Sequence, residues 1–511
     1  MSRVAAPRVR HPGWLAVGLS MASTGLACDT PLLISGIVFN EGLSGNWFWW
    51  AGAPGILAFL FFFAPLWRRA EVVTENQLIT LRYGDTALTR RYRALKALFD
   101  GVVINCWALA LEVLALNLIS AALISRLAGA GHEGLSWPLV VLLLLAASVY
   151  VLVTELKSLV RGNSLQYGVI LGASLLIAWQ VLRLVPGGLA HLGSLHAKNG
   201  VQVRQIWPAD RGGVALLLAV AWWHAAPGSG LLVQRVAALR SEREVRKAVL
   251  LFAVVHYLLR PWCWYVIGGA ALYLLPAANG ESTWILLATT LLHPLASAAI
   301  GVLCAIAFFA HAVNRLHLAK VSIRNDVVPA LPAAWRRLRA EGAAAGGVGL
   351  VAVLSLLICG LLHAGGLRAV YQTIIVVLAG LGFVAIARWY WWRTGIGAEI
   401  ASLIGAIGFG VGALAVGAHG ILGSFPLLLL SSFACGVVLT LVGSFGFPCP
   451  EAHARAFHER LRPPGPGWRN FAAGAAGAGR GLRGAALGWL ATNAAFYGLL
   501  IALTALVLGR A

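Results

Sequence analysis

The fold of this protein is decided by residues 15–36, which read LAVGLSMASTGLACDTPLLISG. The stretch is apolar and long enough to cross a bilayer, which takes about 20 residues, yet Thr24, Asp29 and Pro31 lie near its middle. Such an interruption is tolerated at mid-depth only where the freed backbone groups line a cavity or meet other protein. The sequence therefore predicts a membrane-spanning helix that is broken at its centre.

A second interrupted helix is predicted at residues 214–232, which read VALLLAVAWWHAAPGSGLL. Pro227, Gly228 and Gly230 end its apolar part early. Broken helices at corresponding places in the two halves of a chain are typical of secondary transporters, whose solute site lies between them at the membrane midplane. Glycine and proline are also common in ordinary membrane helices, which is the alternative interpretation.

The composition extends the membrane prediction to the whole chain. Hydrophobic residues make up 59% of the 511 residues and charged residues only 11%, whereas soluble domains carry about 25% charged residues. This excludes a soluble globular enzyme and a disordered chain. The seven cysteines form no Cys-x-x-Cys pair, so we expect buried free thiols, no disulfide framework and no metal site.

We predict an all-α polytopic membrane protein in which residues 1–511 form a single transmembrane domain. Its core spans lie within residues 14–387, and additional C-terminal spans lie within residues 396–507. The thirteen predicted spans are 14–40, 47–67, 98–125, 137–156, 163–185, 213–229, 248–275, 284–314, 344–363, 369–387, 396–419, 421–445 and 484–507.

Lysine and arginine are distributed unevenly between the predicted loops. The net charge of +21 arises mainly from segments that share the side of the N-terminus, above all residues 68–97, 315–343 and 446–483. Positively charged loops face the cytoplasm in multi-pass proteins, so we predict a cytoplasmic N-terminus and a location in the inner (cytoplasmic) membrane. Basic loops against anionic lipid explain the charge. We expect the lipid bilayer and a small-molecule solute as partners, no nucleic acid and no obligate protein partner.

Eight short motifs follow one another along the chain. They are ASTGLACDTPLLISG (22–36), NWFWW (46–50), FFFAPLWRRAEVVTENQLITLRYG (61–84), INCW (104–107), QR (234–235), LRPWCW (259–264), ARWYWWR (387–393) and PEAHARAFHERLRPPGPGW (450–468). In this order they resemble bacterial members of the sodium/solute symporter family, which includes the sodium–glucose and sodium–proline transporters. The resemblance implies a five-plus-five inverted repeat, that is a LeuT-like core, with extra C-terminal helices. It also implies a symporter-type secondary active transporter that moves a small solute by alternating access and couples it to sodium.

The resemblance also points to the residues of the ion site. Family members hold sodium between carbonyl groups of the broken first span, here at Ala22 and Leu26, and two adjacent hydroxyl groups of the eighth span, which here fall on Ala310 and His311. An acidic family residue of the fifth span is Asn163 in this chain. These substitutions predict a degenerate sodium site, or a proton bound at His311 in place of sodium. A neutral histidine bonded to a neighbouring carbonyl group is the structural alternative.

The coupling ion, Na+ or H+, is the only cofactor that we expect. A proton-coupled transporter, an uncoupled facilitator and a non-transporting membrane sensor on the same scaffold remain alternatives. An enzyme is not expected, because the sequence offers no phosphate-binding loop, no zinc-protease motif and no Ser/His/Asp constellation.

The foremost candidates for the solute pathway lie in the two interruptions. Asp29 comes first, because an ionisable side chain within a membrane usually marks an ion or substrate route; a carboxylate that only binds backbone N–H groups is the alternative. Hydroxyl and aromatic side chains nearby either line the same route or serve as internal hydrogen-bond donors and interfacial anchors. These further candidates are Ser23, Thr24, Thr30, Trp222, Trp223, His224 and Ser229.

Four more polar residues are interpreted as gate or structural residues. Arg260 lies within a predicted span, where snorkelling or an ion pair is more typical of arginine than contact with a solute. Glu112 of the third span is its conceivable partner. Gln234 and Arg235 follow the second interruption on the cytoplasmic side. We expect no catalytic residue and no metal ligand.

Overall fold

The structure is a computed structural model that describes residues 12–25, 28–153, 156–362, 366–415, 424–471 and 476–508. Over these residues it is all-helical, with one isolated β-bridge and no strand. The helical segments are α1 (Trp14–Thr24), α2 (Asp29–Glu41), α3 (Leu43–Ala70), α4 (Gln77–Tyr83), α5 (Ala87–Ala128), α6 (Glu133–Val153), α7 (Leu156–Leu184), α8 (Gly188–Ser194), α9 (Arg211–Val220), α10 (Gly230–Ala237), α11 (Glu242–Leu274), α12 (Thr283–Thr290), α13 (Pro294–Ala330), α14 (Ala333–Leu362), α15 (Gly366–Tyr390), α16 (Ile396–Ala415), α17 (Phe425–Gly446), α18 (Glu451–Leu461) and α19 (Ala476–Leu508).

The number of membrane spans is close to the thirteen predicted. Within the described ranges, 10 helices are long and apolar enough to cross a membrane, and the bent pairs α1 with α2 and α7 with α8 raise the number to 12. The predicted span 213–229 is divided instead: α9 is a short apolar helix, residues 221–229 are non-helical, and α10 follows. The all-α polytopic fold is therefore confirmed, and the second helix breaks where Pro227 and Gly228 predict it.

One predicted span is wrong in its bounds. The apolar run 284–314 holds two helices, α12 and α13, because Pro294 lacks an N–H group and forces the residue before it out of helical geometry. His293 accordingly caps α13, and its ring accepts a hydrogen bond from the N–H of Leu295 at 3.3 Å. The spanning helix is α13, which starts at Pro294 and continues to Ala330.

The first span is broken as predicted, between α1 and α2, which meet at 63°. α2 begins at Asp29 and carries Pro31 in its first turn, where the N–H that proline lacks has no helical partner. Gly25 follows α1, and a Cβ atom at this position would lie 2.6 Å from Cε1 of His256. The break therefore depends on Gly25, which leaves room for α11 to approach, and on Pro31, which is well suited to the first turn of a helix.

Contacts between residues at the ends of helices divide those ends into two groups. At one end, which we call the basic end, Arg69 pairs with Glu242 at 2.7 Å and donates to the carbonyl oxygen of Leu461 at 3.1 Å. At the opposite end, Arg368 pairs with Glu41. Each contact joins segments that the charge distribution assigns to the same side of the membrane.

Within the described ranges, four helices contain one π-helical turn each. The turns are Phe59–Phe63 in α3, Phe99–Ile104 in α5, Val254–Leu259 in α11 and Ile323–Val327 in α13. α3 and α5 are the second and third spans of the first half of the core, and α11 and α13 are their counterparts in the second half. π-helical turns are rare and occur frequently at functional sites. Their matched placement agrees with a five-plus-five repeat.

Gly228 is required by the conformation of the second break. Its φ is +82°, and a Cβ atom there would lie 2.4 Å from Cε2 of Phe59. We expect Gly228→Ala to lower the melting temperature of the purified protein, because a positive φ costs alanine about 1–2 kcal/mol and the phenyl ring must also move. Gly200→Ala is the matched control, with φ +83° and no atom within 4 Å of the added Cβ. Equal losses in the two variants would contradict a packing role for Gly228.

Candidate functional site

A cavity of about 410 Å³ lies between the two broken helices. The first break contributes Thr24, Gly25, Asp29 and Thr30 to its wall, and the second break contributes residues within 224–232. Side chains of α3, α5, α11, α13 and α15 complete the wall, and the cavity extends from the breaks to the basic end. Its size is that of a pocket for a small molecule.

Asp29 stands at the start of α2 and faces the cavity. Its side chain is half-buried, and Oδ1 accepts a hydrogen bond from the Thr30 hydroxyl at 3.1 Å. The Thr24 hydroxyl also borders the cavity but donates back to the carbonyl oxygen of Met21 at 2.7 Å. Ser23 is buried behind the wall. Three of the four polar candidates of the first break are therefore accessible from the cavity.

The guanidinium group of Arg260 lies at the C-terminal end of α1. Nη1 donates to the carbonyl oxygen of Ala22 at 3.2 Å, and Nη2 donates to that of Gly25 at 2.6 Å. Arg260 is 1% exposed, and its guanidinium carbon lies 5.7 Å from the ring centroid of Trp49. A helix C-terminus presents free carbonyl groups and the negative end of the helix dipole. A fixed positive charge thus satisfies the carbonyl groups that the break leaves without helical partners.

Glu112 reaches from α5 to the N-terminal end of α2. Its Oε2 accepts a hydrogen bond from the backbone N–H of Cys28 at 3.0 Å, and its carboxyl group is within hydrogen-bonding reach of that of Asp29. Glu112 is the conceivable partner of Arg260 in the sequence, but the hydrogen bonds of Arg260 in the described residues go to the carbonyl groups of α1. Glu112 is 2% exposed, so two carboxyl groups meet in the interior of the membrane domain.

His311 and Arg315 face Glu112 from α13. Nε of Arg315 donates to Nε2 of His311 at 3.0 Å, and this Nε2 lies 4.0 Å from Oε1 of Glu112. Because Nε2 accepts a hydrogen bond, the His311 ring is neutral in this arrangement. It supplies no oxygen ligand to an ion.

The expected sodium positions offer few free oxygen atoms in the described part of the chain. The carbonyl group of Ala22 is bonded to Arg260. Ala310 has no hydroxyl group, and its carbonyl oxygen accepts from Nδ2 of Asn314 at 2.8 Å. Leu26 and the side chain of Asn163 lie outside the described residues.

The second break places only part of its polar sequence on the cavity. His224 and Ser229 line the wall, whereas Trp222 and Trp223 do not. The two indole rings stack on each other with centroids 4.3 Å apart and pack against aromatic rings of α19 and α17. In this conformation they pack the break against the C-terminal helices rather than line the pathway.

Gln234 and Arg235 lie on α10, away from the cavity wall. Both are buried, and Nη2 of Arg235 donates to Oδ1 of Asn314 at 2.8 Å. This contact ties the second half of the broken helix to α13, which agrees with a structural role for Arg235.

Several polar residues of the cavity are not among those that the sequence singles out. His256 stacks on Trp49 with ring centroids 5.0 Å apart, and Asn105 and Tyr371 also line the wall. Nδ1 of His256 and Oδ1 of Asn105 have no hydrogen-bond partner among the residues that the structure describes, although these two residues are only 6% and 1% exposed. Buried polar atoms without protein partners bind water or a ligand. Asn105 lies in the INCW motif, and His256 lies one turn before Arg260; these positions are the signals that identify them.

The basic end of the cavity brings a second pair of carboxyl groups together, those of Glu75 and Asp100. Nζ of Lys96 donates to both carboxylate oxygens of Asp100 at 2.6 Å. Glu75 lies in the loop between α3 and α4, outside the spans, where burial and the neighbouring Asp100 raise its pKa to about 8. Glu75 is therefore largely protonated at neutral pH and loses its proton as the pH rises through about 8.

Solved structures with the same arrangement of helices are secondary transporters. The chain is similar to a substrate-bound, outward-open Na+-coupled sialic acid symporter at 16% identity and a TM-score of 0.64, with 86% of this chain and 91% of that chain covered. It is similar to MhsT in complex with L-phenylalanine at 15% identity and a TM-score of 0.53, with 84% and 97% covered. It is also similar to Mhp1, a nucleobase-cation-symport-1 family transporter, at 12% identity and a TM-score of 0.50, with 87% and 96% covered. These likenesses confirm the LeuT-like core.

A comparison of the sequence with family profiles identifies the family of the chain. No curated protein matches the chain significantly. The profile of the sodium:solute symporter family, however, matches residues 9–310, which is more than half of the chain. The chain therefore belongs to the sodium:solute symporter family.

Proposed function

We propose that this secondary transporter moves a small polar solute through the cavity between its broken helices, and that it does so without sodium at the first break. Arg260 supports the second part most directly, because its guanidinium group already binds the carbonyl oxygens of Ala22 and Gly25. We also propose that the basic end faces the cytoplasm, as the positive charge of its loops indicates.

A sodium ion at the first break would meet a poor environment. Two like unit charges 4 Å apart repel by about 4 kcal/mol at the effective dielectric constant near a protein surface, and Arg260 is fixed beside these carbonyl groups. The hydroxyl groups expected on α13 are replaced by Ala310 and by His311, which is bonded to Arg315. The Arg260 guanidinium group thus already binds the Ala22 carbonyl group, one of the two that the resemblance assigns to sodium.

A non-transporting sensor on the same scaffold is less well supported. A sensor needs a ligand pocket but no route across the membrane. The cavity here runs from the helix breaks, past Asp29, to Glu75 and Lys96 at the basic end. A cavity that extends from the helix breaks to one end of the bundle and carries ionisable side chains on its wall is expected of a transport pathway.

Uptake into proteoliposomes tests the proposal. A panel of radiolabelled sugars, amino acids and short carboxylic acids is offered under an inward sodium gradient alone, an inward potassium gradient alone and a pH gradient alone. We expect at least one solute to be taken up, at the same rate with sodium as with potassium, and no displaceable binding of radioactive sodium. Uptake that requires sodium would overturn the sodium-free part. Uptake of none of the panel by monodisperse protein would count against transport of these solute classes.

A further inference from the structure

We propose that the coupling ion of this transporter is a proton, carried by the Asp29–Glu112 carboxyl pair and exchanged with the aqueous phase through the Glu75–Asp100 pair at the basic end of the same cavity. This inference rests on the proposed function, because it names the ion that acts in place of sodium.

The carboxyl pair at the first break is built to hold one proton. Two carboxyl groups in contact repel each other when both are ionised, and one proton shared between them relieves that repulsion. The neighbouring positive charges oppose the binding of a second proton to the pair. Arg260 and Arg315 both lie close enough to Asp29 to interact with its charge. The Tyr371 hydroxyl group also faces Asp29.

Glu112 has a second set of neighbours on its other side. The N–H of Cys28 binds one carboxyl oxygen, and His311, backed by Arg315, faces the other. Together with Asp29, Arg260, Tyr371 and the Cys28 thiol, these are the charged and titratable groups that face the pair among the described residues. Protonation changes the formal charge of the two carboxyl groups and two arginines from zero to +1. The loaded site therefore favours an electron-rich or anionic part of the solute, which couples proton binding to solute binding.

A proton fits this environment better than a metal cation does. Hard cations need several oxygen ligands, whereas the pair is flanked by two guanidinium groups and an imidazole ring. A proton needs one O–H bond and one acceptor, and the two carboxyl groups supply both. His311 is a poorer carrier, because its Nε2 is already engaged by Arg315 and a protonated ring would be repelled by that guanidinium group.

The cavity provides the path from this pair to the basic end. Asn105 and His256 each leave a buried polar atom on its wall without a hydrogen-bond partner among the described residues, and buried waters typically bind to such unsatisfied groups. At the basic end, Lys96 and Arg388 flank the Glu75–Asp100 pair. Because the pKa of Glu75 lies near 8, this group both binds and releases protons close to neutral pH.

The proton balance of the cycle is simple. A proton leaves a hydronium ion on one side of the membrane and forms an O–H bond on one carboxyl oxygen of the Asp29–Glu112 pair. That bond breaks when the cavity opens to the other side, and the proton passes to water, with Glu75 and Asp100 as acceptors on the way. Nothing is oxidised or reduced, and no further reactant is consumed.

Infrared spectroscopy of the protein in lipid nanodiscs tests the carrier without any solute. The measured signal is the C=O stretch of protonated carboxylic acids as a function of pH. We expect a band that persists at neutral pH in the wild type and that Glu112→Gln and Asp29→Asn each remove or shift. Glu75→Gln should remove a separate component that titrates near pH 8.

Glu281→Gln is the matched control for these variants. The Glu281 carboxylate accepts a hydrogen bond from the N–H of Leu367 at the opposite end of the bundle, so this variant should leave both signals unchanged. A neutral-pH carboxylic acid band that Glu112→Gln and Asp29→Asn both leave unchanged, or no band beyond the Glu75 component, would overturn the carrier.

Transport separates the failure of this inference from that of the proposed function. With a solute taken up from the panel, an inward proton gradient should drive accumulation, and Glu112→Gln should abolish accumulation while leaving downhill exchange measurable. Glu75→Gln, which can neither bind nor release a proton, should slow proton-driven accumulation and remove the part of its pH dependence that lies near pH 8. Sodium-free uptake that ignores the proton gradient would refute proton coupling and leave the proposed function intact. The absence of uptake of every solute in the panel would instead count against the proposed function for these solute classes, whatever the infrared result.

Discussion

Arg260→Ala is expected to reduce solute uptake at least about 100-fold, a loss of about 2.7 kcal/mol. The substitution leaves the carbonyl groups of Ala22 and Gly25 without their donor, and each buried unpaired group costs about 1–3 kcal/mol. The end of α1 then also lacks a positive charge. A free cation is expected to take its place, so the residual uptake should become sodium-stimulated. Uptake rates per mole of monodisperse protein and binding of radioactive sodium measure the two effects.

Two further substitutions of arginine residues are compared with Arg260→Ala. Arg260→Lys keeps the charge but offers a smaller donor group, and we expect intermediate uptake without sodium stimulation. Arg368→Ala is the matched control, because Arg368 pairs with Glu41 at the opposite end of the bundle and should leave uptake and sodium binding unchanged. Wild-type uptake in Arg260→Ala would show that this guanidinium group has no part in the cycle.

Asp29→Asn is expected to lower uptake by about 100-fold as well, equivalent to about 2.7 kcal/mol. The variant keeps the shape of the side chain but removes the negative charge that lies near Arg260 and Arg315. It also removes one half of the carboxyl pair with Glu112. The loss should appear in the maximal rate of uptake under a proton gradient, measured over a series of solute concentrations.

Asp210→Asn is the matched control for Asp29→Asn. Asp210 also stands at a helix start, where its Oδ1 accepts a hydrogen bond from the N–H of Gly213 at 2.8 Å. Asparagine caps a helix about as well as aspartate does, and Asp210 is not on the cavity wall. We therefore expect normal uptake from this variant. Unchanged kinetics in Asp29→Asn would show that Asp29 only begins a helix.

The fold is largely predictable because its signals are local. A glycine, a polar residue and a proline within a few positions of one another, as at Gly25, Asp29 and Pro31, predict a helix break from the sequence alone. The same logic explains the error at 284–314, where hydropathy merges two helices and Pro294 separates them. Hydropathy averages over a window, whereas the missing N–H of one proline acts at a single residue.

The site is less predictable because its contacts join distant segments. Asp29 stands out by itself, as a charge in an apolar run. By contrast, the partners of Arg260 and Glu112 depend on which side chains meet across α1, α5 and α11, and no spacing rule relates these helices. Trp222 and Trp223 illustrate the same limit, since one break can turn neighbouring residues to opposite sides. Glu75 escapes notice because an acidic residue in a loop is unremarkable until burial changes its pKa.

The π-helical turns in α3, α5, α11 and α13 have a consequence for how this molecule switches. Each π-helical turn contains one residue more than an α-helical turn. This extra residue forms a bulge, and the bulge can move along the helix as backbone hydrogen bonds are exchanged one at a time. The migration rotates the helix segment it has passed without a hinge and without exposing unpaired backbone to lipid. We therefore expect the four helices to twist rather than to bend as the pathway changes the side to which it opens.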